Sequence, residues 1–134
     1  MNKKKLKYRV TYLEMNRKPS FDWPKNLKHK LSILLAESFP SWYFLFFYKQ
    51  VGKNYYWTDW LRKSEDEIDE FVNDKNVLLY TLIKDGWTVG FYMLDYRKKD
   101  ICDLSFFGLV DEVIGIGLGK YLLQTAILFT KIQN

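Results

Sequence analysis

The sequence predicts an α/β domain of the α+β type, a mixed sheet in which strands 2, 3 and 4 form an antiparallel meander that feeds a glycine loop and a helix. Three observations carry this. Asp85-Gly86 stands between two apolar runs, 77–83 and 87–96, and both central residues of a type I′ turn need positive φ, which Asp-Gly supplies. Ser64-Glu-Asp-Glu67 is a capping box, a serine that accepts from the helix and a glutamate that reaches back. Gly115, Gly117 and Gly119 immediately precede the helical stripe Leu122, Leu123, Ala126, Ile127.

Taken in order, 7–14 has β-branched and aromatic residues in loose alternation and is expected as a strand. The segment 16–23, with Pro19, Ser20 and Asp22, reads as loop. Leu27, Leu31, Leu34 and Leu35 fall at i, i+4, i+7 and i+8, so a helix is expected from Lys25 to its limit at Pro40. The aromatic run 41–48 favours a strand by propensity, but Ser41 can cap a helix, and a helix is the preferred reading. Gly52 and Asn54 open a loop bearing Tyr55, Tyr56, Trp57 and Trp60. Behind the capping box, Ile68, Phe71 and Val72 supply an apolar face, and the acidic first turn complements the helix dipole. Strands follow at 77–83, 87–96 and 101–110, with a turn at 97–100.

At 134 residues the chain supports a single domain over 1–134 with a full core. Its 48% hydrophobic and 28% charged content is that of an ordinary globular protein. No apolar run reaches the roughly 18 residues of a membrane-spanning helix, so no membrane partner is expected. Cys102 is the only cysteine, which excludes an internal disulfide and suits a cytoplasmic location. The net charge of +5 is concentrated at the front, where residues 1–30 hold ten Lys or Arg against Glu14 and Asp22. A solvated basic terminus explains this. Nucleic-acid binding lacks any supporting motif.

The chemistry lies in strand, short acidic connection, glycine loop, helix. Glycines leave backbone N–H groups free to converge, and at a helix start such a loop binds phosphate. The spacing is G-x-G-x-G, one residue short of the dinucleotide fingerprint, and the loop follows an antiparallel meander rather than a βαβ unit. A Walker A loop needs four spacers before Gly-Lys-Ser/Thr and is also excluded.

The segment Ile114-Gly-Ile-Gly-Leu-Gly119 resembles the R/Q-x-x-G-x-G/A loop of GNAT-superfamily N-acetyltransferases, with Ile114 departing at the first position. The wider run Ser105–Leu123 resembles a bacterial group typified by F-G-L-x-P-E-F-I-G-x-G-x-G, in which isoleucine there is usual. Segments 10–15 and 51–59 also look like that group. The resemblance implies acetyl transfer from acetyl-CoA, as co-substrate and without a metal, to the primary amine of a small molecule or peptide by direct attack in a ternary complex. It places the pyrophosphate on the amides of Ile116, Gly117, Leu118, Gly119 and Lys120, and pairs the pantetheine arm with the backbone of Leu109 and Val110. Asp103 and Glu112 are the candidate bases. Strand alternation is expected to set Asp103 on the face of Ser105 and Phe107, opposite Cys102 and Leu104.

Trp57 and Asp59 are candidates to meet a cationic acceptor, although core packing is the expected role of most aromatics here. Cys102 reads as a small core residue, and a lone His29, on the polar side of the helix expected there, makes no metal site. The family fold continues with a further strand, helix and usually two more strands. Residues 1–134 are therefore expected to be a truncated domain with weak or absent activity alone. The alternative is a non-catalytic CoA-binding remnant or regulatory module. A homodimer is left open.

Overall fold

The computed structural model describes residues 7, 9–17, 19–26 and 28–130. The elements run β1 (Leu31–Ala36), α1 (Ser41–Gly52), a 3₁₀ turn (Asp59–Arg62), α2 (Glu65–Val72), β2 (Val77–Lys84), β3 (Trp87–Asp95), β4 (Asp103–Leu109), a second 3₁₀ turn (Asp111–Val113) and α3 (Leu118–Phe129). The four strands form one sheet in sequence order, and every described pair is antiparallel.

Each face of the sheet carries its own core. β2 is apolar at nearly every position because both of its faces are covered. Val77 and Leu79 point to α1 and α2 with Phe91 and Met93 of β3, whereas Tyr80 and Leu82 point to α3 with Val89, Tyr92 and Leu94. α1 presents Phe44, Phe47, Tyr48 and Val51 to the first core, a spacing of i, i+3, i+4, i+7 that puts them on one helical face. α2 adds Ile68, Phe71 and Val72. Its Ser64 hydroxyl accepts from the Glu67 amide at 3.2 Å, the cap expected from the sequence. α3 closes the second core with Leu118, Tyr121, Leu122 and Ala126. Asp85 and Gly86 take φ of 51° and 90°, the hairpin expected between β2 and β3.

Two expectations fail at the front of the chain. The described residues of 7–14 form no strand; Tyr12 and Leu13 are more than nine-tenths exposed. Alternation alone does not make a strand where no neighbour accepts its backbone. The helix expected from Lys25 is instead an irregular approach followed by β1, which pairs with β2 from Leu31↔Lys84 to Ala36↔Leu79. Leu27 lies outside the described residues. Leu34 and Leu35, central to the helical stripe, are 55% and 41% exposed, while Leu31 and Ile33 turn to the sheet's second core. The edge of β2 requires a partner, and pairing overrides a local 3.6-residue pattern. Pro40 therefore begins a helix rather than ending one: it holds the N-cap position of α1, and the Ser41 hydroxyl donates to Asp69 of α2.

Candidate functional site

The glycine loop sits where the sheet meets α3. β4 ends at Leu109, and the Val110 amide donates to the Val89 carbonyl at 2.8 Å. Asp111–Val113 forms one 3₁₀ turn, with Val113 buried as an anchor. Gly115 and Gly117 then take φ of 89° and 88°, in the left-handed region, and Gly117 is the N-cap of α3. A glycine cap carries no side-chain acceptor for the helix amides. The first amides of a helix have no intrahelical partner, so those of Leu118, Gly119 and Lys120 remain available at the positive end of the helix dipole. Leu118 is buried and holds the helix start against the core, while Gly115, Ile116, Gly117 and Lys120 are exposed. A Cβ built on Gly115, Gly117 or Gly119 would meet nothing within 4 Å. The space over the loop is open.

β4 is the last described strand, so its outer edge has no partner among the described residues. Because Val110 donates to β3, antiparallel alternation turns the N–H and C=O of Leu109 and Phe107 outward. Of the two residues expected to meet the pantetheine arm, Leu109 offers its backbone to that edge, and the Val110 amide is engaged with Val89.

A bulge changes the faces of β4. Met93 pairs with Phe106, but Leu94 pairs with Leu104, which leaves Ser105 as the extra residue. The alternation expected across Ser105 therefore fails. Phe106 faces α1 and α2, while Phe107 joins Cys102 on the α3 side. A bulge re-aims side chains in this way, and bulges are frequent beside functional sites.

Asp103 opens β4 and pairs in register with Asp95. The Asp95 carboxylate is forked by Arg97, with Nε at 3.0 Å and a terminal nitrogen at 2.8 Å. Burial raises the Asp95 pKa, and the bonds from Arg97 outweigh it, so the group is held below its ordinary value. Asp103 stays exposed and enters no ion pair among the described residues. It lies six residues from Leu109, roughly 20 Å at about 3.3 Å per residue. Glu112 is exposed beside the glycine loop, at the opposite end. The two candidate bases are thus not brought together.

Trp57 and Asp59 stand on the α1–α2 side. Trp57 packs against Tyr48 and Phe106, with ring centroids at 5.6 and 5.9 Å. The backbone of Gly52 lies so close that a Cβ there would sit 2.4 Å from that of Trp57. Asp59 is exposed and begins the first 3₁₀ turn, which the buried Tyr48 hydroxyl holds by accepting from the Trp60 amide at 3.2 Å. Burial outweighs that hydrogen bond and raises the Tyr48 pKa. Phe44, Trp60, Phe71 and Phe106 complete the aromatic cluster, while Trp42, Phe46, Tyr55 and Tyr56 remain exposed. Burial pushes the Cys102 thiol up, against hydrogen bonds with Tyr96 and Thr130, so it is a poor nucleophile.

Two features escaped the sequence reading. The Asn54 side chain donates to Asp111 at 2.6 Å, and Lys53 lies 3.7 Å from the same carboxylate. This ties the end of α1 to the turn before the glycine loop. Nothing local signals a contact over 57 residues. The second is a basic groove between the 25–30 segment and α3; its lysines were legible as charge, but their convergence depends on the turn that replaces the expected helix. Among the described residues no group of three or more His, Cys, Asp or Glu could hold a metal, and no helix is long and apolar enough to cross a membrane.

No protein-family model and no curated protein matches the chain. Solved structures do. An aminoglycoside acetyltransferase from an uncultured soil metagenomic sample superposes with a TM-score of 0.51 at 8% identity, over 72% of this chain and 69% of that one. A ribosomal-protein-alanine N-acetyltransferase from Brucella melitensis biovar Abortus 2308 superposes with a TM-score of 0.46 at 15% identity, over the same shares. With the order β1-α1-α2-β2-β3-β4-α3 and the glycine loop between β4 and α3, the chain has the fold of a GNAT acetyltransferase.

Proposed function

We propose that the chain binds acetyl-CoA and transfers its acetyl group to a primary amine. The observation that carries this reading is the glycine-capped start of α3, standing directly beyond the open edge of β4. The amides of the loop and first turn are free to receive a diphosphate, and no side chain is needed for it. From there the pantetheine arm extends along β4 as an added strand, bonding to the outward backbone of Leu109. A β4 amide turned to the same edge, such as that of Phe107, polarises the thioester carbonyl and stabilises the oxyanion formed as the amine attacks. Attack is direct: the amine adds to the thioester carbonyl while a base removes its proton, and the oxyanion then collapses to the amide and expels the thiolate.

The arm leads away from the glycine loop, which favours Asp103 over Glu112 as that base. Glu112 stands beside the diphosphate, where its charge opposes the ligand. Trp57 and Asp59 flank the same side of β4, where a carboxylate attracts a cationic amine. Its identity is a question for a substrate panel.

The test is calorimetric titration with acetyl-CoA, followed by release of free thiol in the presence of a panel of amines. Saturable binding by the wild-type chain, lost in Gly117→Val, supports the assignment of the loop. Undiminished affinity in Gly117→Val would place the cofactor elsewhere. Thiol release that depends on an added amine, and falls at least tenfold in Asp103→Asn as removal of a general base should cause, supports the transferase reading.

A further inference from the structure

The segment leading into β1 is fastened to α3 at one end and to the β2–β3 hairpin at the other. Trp23 packs edge-to-face on Phe129, near the end of α3, with ring centroids at 5.3 Å. The Asn26 side chain then accepts from the amides of Lys28 and His29 at 3.0 and 3.1 Å, an Asx-type turn that fixes the local backbone. The Lys30 carbonyl accepts from the Asp85 amide at 3.0 Å and pins the segment to the β2–β3 hairpin. Between these anchors lies a groove of about 620 Å³, lined by Lys25, Asn26, His29, Lys30, Gly86 and Tyr121 among others.

Two properties distinguish this groove from a solvated lysine face. No carboxylate lines it, Lys25 and Lys30 enter no ion pair among the described residues, and the carboxylate that His29 feels is that of Asp85 beside the groove. The nearby Asp85 is already paired with Lys84 at 2.8 Å, and that hydrogen bond lowers its pKa. Lysines turned into one concavity repel each other unless an anion enters. The groove also lies at the glycine-loop end of the sheet, with β1 and β4 as the sheet's two edges. Tyr121 is the residue after Lys120, whose amide belongs to the first turn of α3, and the registers Leu31↔Lys84 and Gly90↔Leu109 set β1's start and β4's end at the same end of the sheet.

We propose that Lys25, His29 and Lys30 form a second anion subsite, taking a phosphomonoester on the same nucleotide whose diphosphate rests on the α3 amides. This rests on the coenzyme A reading above, since coenzyme A carries both groups, a diphosphate and a ribose 3′-phosphate. The first turn of α3 separates the two subsites. Ligand selection then requires both anions, and a segment preceding the sheet becomes part of the cofactor site.

The deciding experiment titrates coenzyme A, 3′-dephospho-coenzyme A and inorganic phosphate into the wild-type chain and into Lys25→Ala/Lys30→Ala. Both lysines are exposed, so the variant should keep its far-UV spectrum and Tm. The expected result is wild-type preference for coenzyme A over the dephospho form by about tenfold or more, the scale of a charge-assisted contact. The double variant loses that preference and binds the dephospho form as wild type does. Equal wild-type affinities for the two nucleotides would overturn the subsite while leaving the coenzyme A reading intact, as would equal weakening of both in the variant. Inorganic phosphate binding as tightly as coenzyme A would make the groove an independent anion site and overturn the link to the nucleotide. Failure of wild type to bind either nucleotide overturns the coenzyme A reading and this subsite together.

Discussion

At Gly119 two demands on a residue separate. Its φ is ordinary for a helix and a Cβ there meets nothing within 4 Å, so the fold does not need glycine. Replacement by alanine should raise stability by about 0.5–1 kcal/mol through helix propensity. The same methyl group stands over the amides proposed to hold the diphosphate, so acetyl-CoA affinity should fall. A variant that melts higher and binds more weakly is the expected pair of results, read by thermal melting and calorimetry. Gly108 is the opposite case. A Cβ there would lie 2.2 Å from Val51 Cγ1, and a β-branched residue on a helix has little freedom to turn away. Gly108→Ala should destabilise by about 1–3 kcal/mol, as overpacking does. In combination with Val51→Ala the two changes should couple favourably by about 1–2 kcal/mol in urea unfolding.

Among the elements, the β3–β4 pair joins stability to the proposed chemistry. Asp95 and Asp103 face each other across it, and Arg97 neutralises only the first. The folded pKa of Asp95 lies below its ordinary 3.8, so the pairing stabilises above that value and is lost as acid titrates the folded carboxyl. Asp95→Asn should therefore cost about 1–3 kcal/mol at neutral pH, the range for a partner removed from a buried bond. The gap from wild type should shrink as the pH falls below about 4. Urea unfolding at several pH values measures it, and a constant gap would contradict the sign. The elements also show what periodicity can and cannot reveal. α2 was legible because capping and amphipathicity are local. The same holds for the β2–β3 hairpin, whose Asp-Gly turn is written in two residues. β1 carries a helical spacing at Leu31, Leu34 and Leu35, and only the edge of β2, which brings Leu31 and Ile33 onto the second core, makes it a strand. The bulge at Ser105 has no sequence signal, because it arises from a mismatch between two strands.

For the whole molecule, ligand binding should appear as stability. If acetyl-CoA binds only the folded chain, a hundredfold excess over Kd adds about 2.7 kcal/mol and should raise the Tm by several degrees, whereas Gly117→Val should show no rise. That shift tests the cofactor reading independently of catalysis. The two-sided sheet explains why so distant a likeness, at 8% identity, still shares a fold: each face needs apolar side chains of suitable size, and many sequences provide them. By itself the sequence determined the meander, α2 and the glycine loop followed by a helix, because hairpin turns, caps and glycine freedom act over a few residues. Only the tertiary structure decided that 31–36 is a strand, that Phe106 and Phe107 point to different cores, and that Lys25, His29 and Lys30 converge beside α3. Those outcomes depend on which backbone edges and faces meet across the chain, and no local pattern encodes that meeting.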